Sequence, residues 1–200
     1  MQMNITEKAC VLTYHTNRRS GSDSYAQGYR NDDSQRLRFE AICEWGDLSG
    51  MGVLDMGCGY GDFVKVLTDR YHDTHYLGLD FHAKFIEQSR LRHQKNDKAQ
   101  FLCTDFLNAK LPEMDFIIAS GSLNYRSDNP GHPWQCINRM WYSANCGVAF
   151  NLLDSRHFEA GNFLCGYAPY KVLDYCLALN PKANIIQGYL PDDFTIFMYK

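Results

Sequence analysis

The stretch Val53-Leu54-Asp55-Met56-Gly57-Cys58-Gly59-Tyr60-Gly61-Asp62-Phe63 carries the reading of this chain. A short apolar run closes on an acidic residue and three glycines follow at alternate positions. A helical pattern then resumes through Phe63, Val64, Val66 and Leu67. That succession is a buried strand, a tight turn and a helix N-terminus, the place where an α/β protein holds a nucleotide-like ligand. Gly57 and Gly59 can take positive φ and leave room for a ligand against the backbone. The helix start behind them presents unpaired N–H groups and a partial positive charge. A dinucleotide fingerprint, G-x-G-x-x-G, would put its third glycine at position 62. That position is Asp62, and the glycine comes one residue early, at Gly61.

Beyond this stretch, short apolar runs alternate with helical patterns. Strands are expected at 52–56, 74–79, 100–103, 115–119 and 147–153, and helices at 61–71, 82–94, 133–142 and 170–179. The helix over 82–94 shows an apolar face of Phe85, Ile86, Ser89 and Leu91. The nearly continuous apolar run 115–119 suits a central parallel strand buried on both faces. Two final strands, 183–189 and 194–199, are joined by Leu190-Pro191-Asp192-Asp193. Four residues are too few for a parallel crossover, so these strands form an antiparallel hairpin. Upstream, Ser34 is expected to cap a helix running to about Trp45, with Leu37, Ala41 and Ile42 as its apolar stripe. Residues 1–33 show little periodicity and predict an irregular arm with at most one short helix.

The bulk numbers fit one domain: 200 residues, 45% hydrophobic and 22% charged, divided as an arm over 1–33 and an α/β core over 34–200. A net charge of −3 gives no electrostatic case for nucleic acid. The eight cysteines are scattered without C-x-x-C spacing and read as reduced, small hydrophobes. The first twenty residues hold one short apolar run, 9–12, which argues against a signal peptide. No stretch approaches the roughly 18 apolar residues that span a bilayer. The expectation is a cytoplasmic protein, with its oligomeric state left open.

The pattern D-x-G-x-G-x-G over 55–61 resembles the first motif of class I S-adenosylmethionine-dependent methyltransferases. The five βα units and the terminal hairpin resemble that family's Rossmann-like fold, a seven-stranded, mostly parallel sheet of order 3-2-1-4-5-7-6. The resemblance implies S-adenosyl-L-methionine as cofactor and S-adenosyl-L-homocysteine as product. By that likeness Asp55 faces the amino end of the cofactor, directly or through water, above Gly57, Gly59 and Gly61. Asp80, nineteen residues past Gly61, is placed to accept hydrogen bonds from both ribose hydroxyls. It is also a candidate N-cap for the helix that follows, and both roles can hold at once. Phe81 would pack on adenine, Asp105 and Phe106 would meet its amino group and ring, and Ser120 would pass under the methionine part. Residues 25–200 are also similar to small bacterial methyltransferases of unassigned substrate, on Gln35, Arg38, Ala119-Ser120-Gly121, Leu123-Asn124-Tyr125 and Phe194-Thr195-Ile196-Phe197. Arg38 would pair with the cofactor carboxylate, or else lie on a solvated helix face.

Methyl transfer from a sulfonium is an in-line displacement, so alignment is the protein's main contribution. An alcohol, phenol or amide nucleophile needs a base within hydrogen-bond reach. Candidates for that role are His15, His132 and His157, which lie on segments beyond the C-terminal strand ends. Tyr14, Tyr25, Asn124, Tyr125 and Tyr167 are the candidate acceptor-pocket residues. His72, His75, His82 and His93 lack metal-ligand spacing, and no metal is expected. A small-molecule acceptor with an O, N or S nucleophile fits the short chain and aromatic arm. Base methylation of nucleic acid is disfavoured, because Ser120-Gly121-Ser122-Leu123 stands where Asn/Asp-Pro-Pro-Tyr/Phe is needed. Protein or peptide methylation, and a cofactor-binding sensor or scaffold without transfer, stay as alternatives. A nicotinamide dehydrogenase is disfavoured by the glycine spacing and the hairpin.

Overall fold

The computed structural model describes residues 3–18, 21–159, 161 and 163–200. Seven strands are present: β1 (Gly52–Met56), β2 (His75–Asp80), β3 (Ala99–Cys103), β4 (Met114–Ala119), β5 (Ala144–Leu153), β6 (Asn184–Gln187) and β7 (Asp193–Tyr199). They form one sheet of order β3-β2-β1-β4-β5-β7-β6. All neighbouring pairs through β5 are parallel, and β7 runs antiparallel to both β5 and β6. This is the Rossmann-like arrangement expected from the alternating pattern and the short terminal link.

Helices cover both faces of the sheet. On one face lie α3 (Asp32–Cys43), α4 (Phe63–Arg70) and α5 (Ala83–Arg92), which place Phe39, Ile42, Phe63, Val64, Leu67 and Ile86 against Val53, Phe116 and Ile118. On the other, α6 (His132–Ser143) and α7 (Pro169–Leu179) set Ile137, Met140, Val172 and Cys176 against Leu54, Met56, Ile117 and Val148. Phe116, Ile117 and Ile118 are fully buried, so the central strand shows no polar face. Each fully buried side chain of this kind contributes about 1.5–3 kcal/mol. The eight cysteines form no disulfide. Among the described residues, no helix is long and apolar enough to cross a membrane.

Three local expectations are corrected. The N-terminal segment is not an irregular arm but holds α1 (Ile5–Asn17) and the one-turn α2 (Asp23–Ala26). Asn4 caps α1 reciprocally with Glu7: the Glu7 N–H donates to Asn4 Oδ1 at 2.9 Å and the Asn4 N–H to Glu7 Oε2 at 2.6 Å. Next, α3 starts earlier than expected. Asn31 is its cap, and Ser34 is the third helical residue, whose hydroxyl accepts the Asn31 N–H. Leu91, placed on the apolar face of α5, is 55% exposed, so Phe85, Ile86 and Ser89 alone make that face.

Candidate active site and cofactor pocket

The glycine turn leaves β1 at Met56 with Gly57, Gly59 and Gly61 at φ of +88°, +56° and +74°. Its backbone is stitched to the next strand, since the N–H groups of Gly57 and Cys58 both donate to the Leu79 carbonyl at 2.8 and 3.1 Å. A Cβ at Gly57 would lie 2.3 Å from Ser122 Cβ, and one at Gly59 2.0 Å from Gln27 Oε1. The turn therefore needs glycine for its backbone angle and for its closeness to neighbours.

Above this turn lies a cleft. Gly57, Gly59, Asp80, Phe81, Phe106 and Ser120 line it, together with Met3, Val11 and His15 from the N-terminal segment. Asp80 is buried at the end of β2, with Oδ2 accepting the Gly59 N–H at 3.0 Å and Oδ1 the His82 N–H at 2.8 Å. Burial pushes its carboxyl up to about 6 against these stabilising N–H groups. A carboxylate has about four acceptor positions, so these N–H groups leave part of its accepting capacity free. The N-cap of α5 is His82, not Asp80, which instead ties the glycine turn to the residue ahead of that helix.

Other expected residues stand differently. Asp55 is buried behind the cleft wall, where Oδ2 accepts the Tyr76 hydroxyl at 2.7 Å and Oδ1 has no protein partner. Burial lifts its carboxyl to about 7. Asp105 does not line the cleft. It pairs with Lys8 of α1, accepts from Asn108, and holds the Leu107 N–H at 3.1 Å. Phe106 and Leu107 line the cleft in its place. Ser120 donates to Asn151 Oδ1 at 2.9 Å and accepts from the Tyr29 hydroxyl at 3.2 Å. Arg38 is not on a solvated face: it is buried, with Nε and Nη2 on Asp193 Oδ2 at 2.8 and 2.5 Å. It lines a second cavity rather than the cleft.

That second cavity adjoins the first, and Gln27, Tyr29, Gly121 and Tyr125 belong to both. Its own walls include Tyr14, Arg18, Arg30, Asn124, Phe158 and Leu164. Among the sequence candidates, the structure brings His15, Tyr14, Asn124 and Tyr125 to these cavities. His132 is buried at the start of α6 and Tyr167 is partly buried after β5; both line a separate depression. His157 is exposed and lines none of the cavities described, nor does Tyr25, which lies under the Arg18 guanidinium, 3.5 Å from the ring centre.

Gln27 was missed by the sequence reading. Its Oε1 accepts the Tyr60 N–H at 2.9 Å and its Nε2 donates to Asp62 Oδ2 at 2.6 Å, so it straps α2 across the glycine turn. Gln35 of α3 reaches the same carboxylate oxygen at 3.0 Å. Tyr29 was missed too. The turn at Gly28, φ +97°, was the one local signal that the chain doubles back here.

The methyltransferase-domain family matches residues 53–140. A protein of Mycobacterium tuberculosis named putative methyltransferase Rv1506c is 28% identical over 157 residues, covering 74% of this chain and 92% of that protein. Malonyl-[acyl-carrier protein] O-methyltransferase of Acetivibrio thermocellus is 28% identical over 126 residues, 60% of this chain and 42% of that one. Among solved structures, the N-methyltransferase NodS of Bradyrhizobium japonicum, in complex with S-adenosylhomocysteine, superposes with a TM-score of 0.70 at 15% identity. It covers 94% of this chain and 97% of its own. Magnesium protoporphyrin IX methyltransferase of Synechocystis, also with S-adenosylhomocysteine, gives 0.68 at 14% identity over 95% and 98%. The sheet order and the glycine turn agree with these matches: the chain carries a class I methyltransferase domain of the kind that uses S-adenosylmethionine.

Proposed function

We propose that the chain methylates a small molecule bound in the second cavity, with the cofactor in the cleft over the glycine turn. The observation that carries this reading is the shared wall. Gln27, Tyr29, Gly121 and Tyr125 border both spaces, so a methyl donor in one faces an acceptor in the other. The N-terminal segment roofs both, and a roofed, mixed polar and aromatic cavity suits a metabolite better than a nucleic-acid strand.

In this reading Asp80 accepts the two ribose hydroxyls, while Phe81, Phe106 and Leu107 enclose the adenine. Gly57 and Gly59 admit the ligand to the backbone, and Gly61 completes the turn. Asp55 acts through water, since its orphaned Oδ1 lies behind the wall. The cofactor supplies an electrophilic methyl group on a sulfonium. The protein aligns the acceptor and excludes water. Arg38, committed to Asp193, shapes the acceptor cavity together with Asn124 and Tyr14.

The test is calorimetric titration with S-adenosylhomocysteine, followed by a metabolite screen with methyl-labelled S-adenosylmethionine, and with peptide and RNA pools in parallel. Micromolar binding and label transfer to a metabolite are the expected result. Label found only in peptide or RNA would overturn the small-molecule reading, and no binding would overturn the site.

A further inference from the structure

Tyr125 belongs to the wall that the two cavities share. The Tyr125 oxygen lies 2.7 Å from His15 Nε2, and His15 Nδ1 lies 2.8 Å from the Ala26 carbonyl oxygen. Three separate parts of the chain converge here: α1, the end of α2, and the segment after β4. A carbonyl oxygen only accepts, so the Ala26 contact places the imidazole proton on Nδ1. The lone pair then sits on Nε2, and the Tyr125 hydroxyl must be the donor to it. With its hydrogen directed at His15, the Tyr125 oxygen keeps its own lone pairs for a donor arriving from the cavities that Tyr125 lines.

We propose that Tyr125 and His15 form a proton-accepting pair for the methyl acceptor, and that the acceptor therefore presents a hydroxyl. This rests on the reading that methyl transfer occurs across the shared wall.

The step balances as follows. An acceptor oxygen lone pair forms the new C–O bond while the C–S bond breaks and its electron pair stays on sulfur. The acceptor's proton passes to the Tyr125 oxygen as the Tyr125 proton passes to His15 Nε2. The result is a neutral thioether, a methyl ether and an imidazolium. The positive charge lost by sulfur reappears a short distance away on the imidazole, so the net charge of the enclosed space does not change. A carboxylate acceptor would have no proton to give, and the pair would have no part in its methylation.

The surroundings keep His15 neutral before the step, while the same burial weakens it as a base. It is 5% exposed and packs against the rings of Phe85 and His82 from α5 and its cap, with Tyr14 beside it on its own helix. Burial is the largest influence and pushes its imidazole down to about 4, aided by His82 and Arg18 and opposed by the Ala26 carbonyl. Burial raises the Tyr125 phenol above its ordinary value, so it enters the step protonated.

The experiment uses the full chain with ¹⁵N-labelled histidine rings, saturated with S-adenosylhomocysteine and titrated with phenol or with benzoate. Nitrogen–proton correlations should show His15 as the Nδ1–H tautomer, neutral at pH 7. Phenol should shift the His15 Nε2 resonance in the parent protein but not in Tyr125→Phe, and benzoate should leave it unmoved. An Nε2–H tautomer, no response to phenol, or an equal response to benzoate overturns the proposal. Failure to bind S-adenosylhomocysteine strikes the parent reading instead, so the two failures are separable. With the acceptor from the screen, Tyr125→Phe and His15→Gln should each lower kcat about 100-fold. KM for the cofactor should stay within about threefold, with wild-type kcat flat from pH 8 to 5. Equal losses in kcat and cofactor affinity would mark the contact as a latch alone.

Discussion

At the scale of single residues, two buried carboxyl groups set opposite demands on pH. In the proposed site Asp80 accepts a diol as the ionised carboxylate, yet burial holds its carboxyl near 6. S-Adenosylhomocysteine should therefore bind more tightly as pH rises through about 6, read by calorimetry at pH 5 and 7.5. Asp80→Asn should abolish that dependence, and Asp80→Ala should weaken binding about 10- to 100-fold, the worth of hydrogen bonds to a charged group. Asp55 acts on the fold instead. Its folded value is about 7 against an unfolded value near 4, so the folded state holds an extra proton between the two. Stability is then highest below about pH 4 for this group and falls as pH rises through about 7. Thermal melts should show the ligand-free protein losing several degrees between pH 5 and 8, with a flatter profile in Asp55→Asn. The glycine turn and Asp80 were legible in the sequence because their function is local, a spacing and a strand end. The Tyr125–His15 contact joins residues 110 apart and leaves no local trace.

Between elements, the Arg38–Asp193 pair ties α3 to β7. Both side chains are nearly buried, at 11% and 1% exposure. Arg38→Ala should cost about 3–5 kcal/mol by stranding Asp193, a fall in Tm of roughly 10 °C for a chain of this size. The double variant Arg38→Met with Asp193→Leu should recover most of that loss in chemical denaturation. No recovery would show that the pair's geometry, rather than its charge, holds the two elements. The sequence showed the strands well because β1 and β4 are largely buried on both faces and read as short apolar runs, each with a single Asp. It showed α1 poorly for a matching reason. Only Val11 and His15 of that helix are buried; Val11 and Met3 join the core while also lining the cleft, and His15 lines the cleft. A helix that roofs a cavity needs no wide apolar stripe, so the periodicity that betrays core helices is missing. The start of α3 was misplaced because Asn31 and Ser34 are both good capping residues and form the two halves of one reciprocal cap.

Across the whole molecule, α1 is fastened to the body at widely spaced points. Lys8 pairs with Asp105, the Glu7 carboxylate accepts the Asp128 N–H at 2.6 Å, and His15 meets Tyr125. Only Val11 and His15 of the helix are buried, so it should open locally at a free energy below that of global unfolding. Amide exchange in α1 should slow at least tenfold on saturation with S-adenosylhomocysteine, while the central strands change little. Equal exchange with and without ligand would mean the roof is indifferent to what lies beneath. The same helix sends His15 into one cavity and Tyr14 into the other, where its C-cap Arg18 joins it. If the two proposed sites share this helix as one door, spent cofactor and methylated product would leave in the same opening event. A viscous medium should then slow reactive and sluggish acceptors towards the same limiting rate.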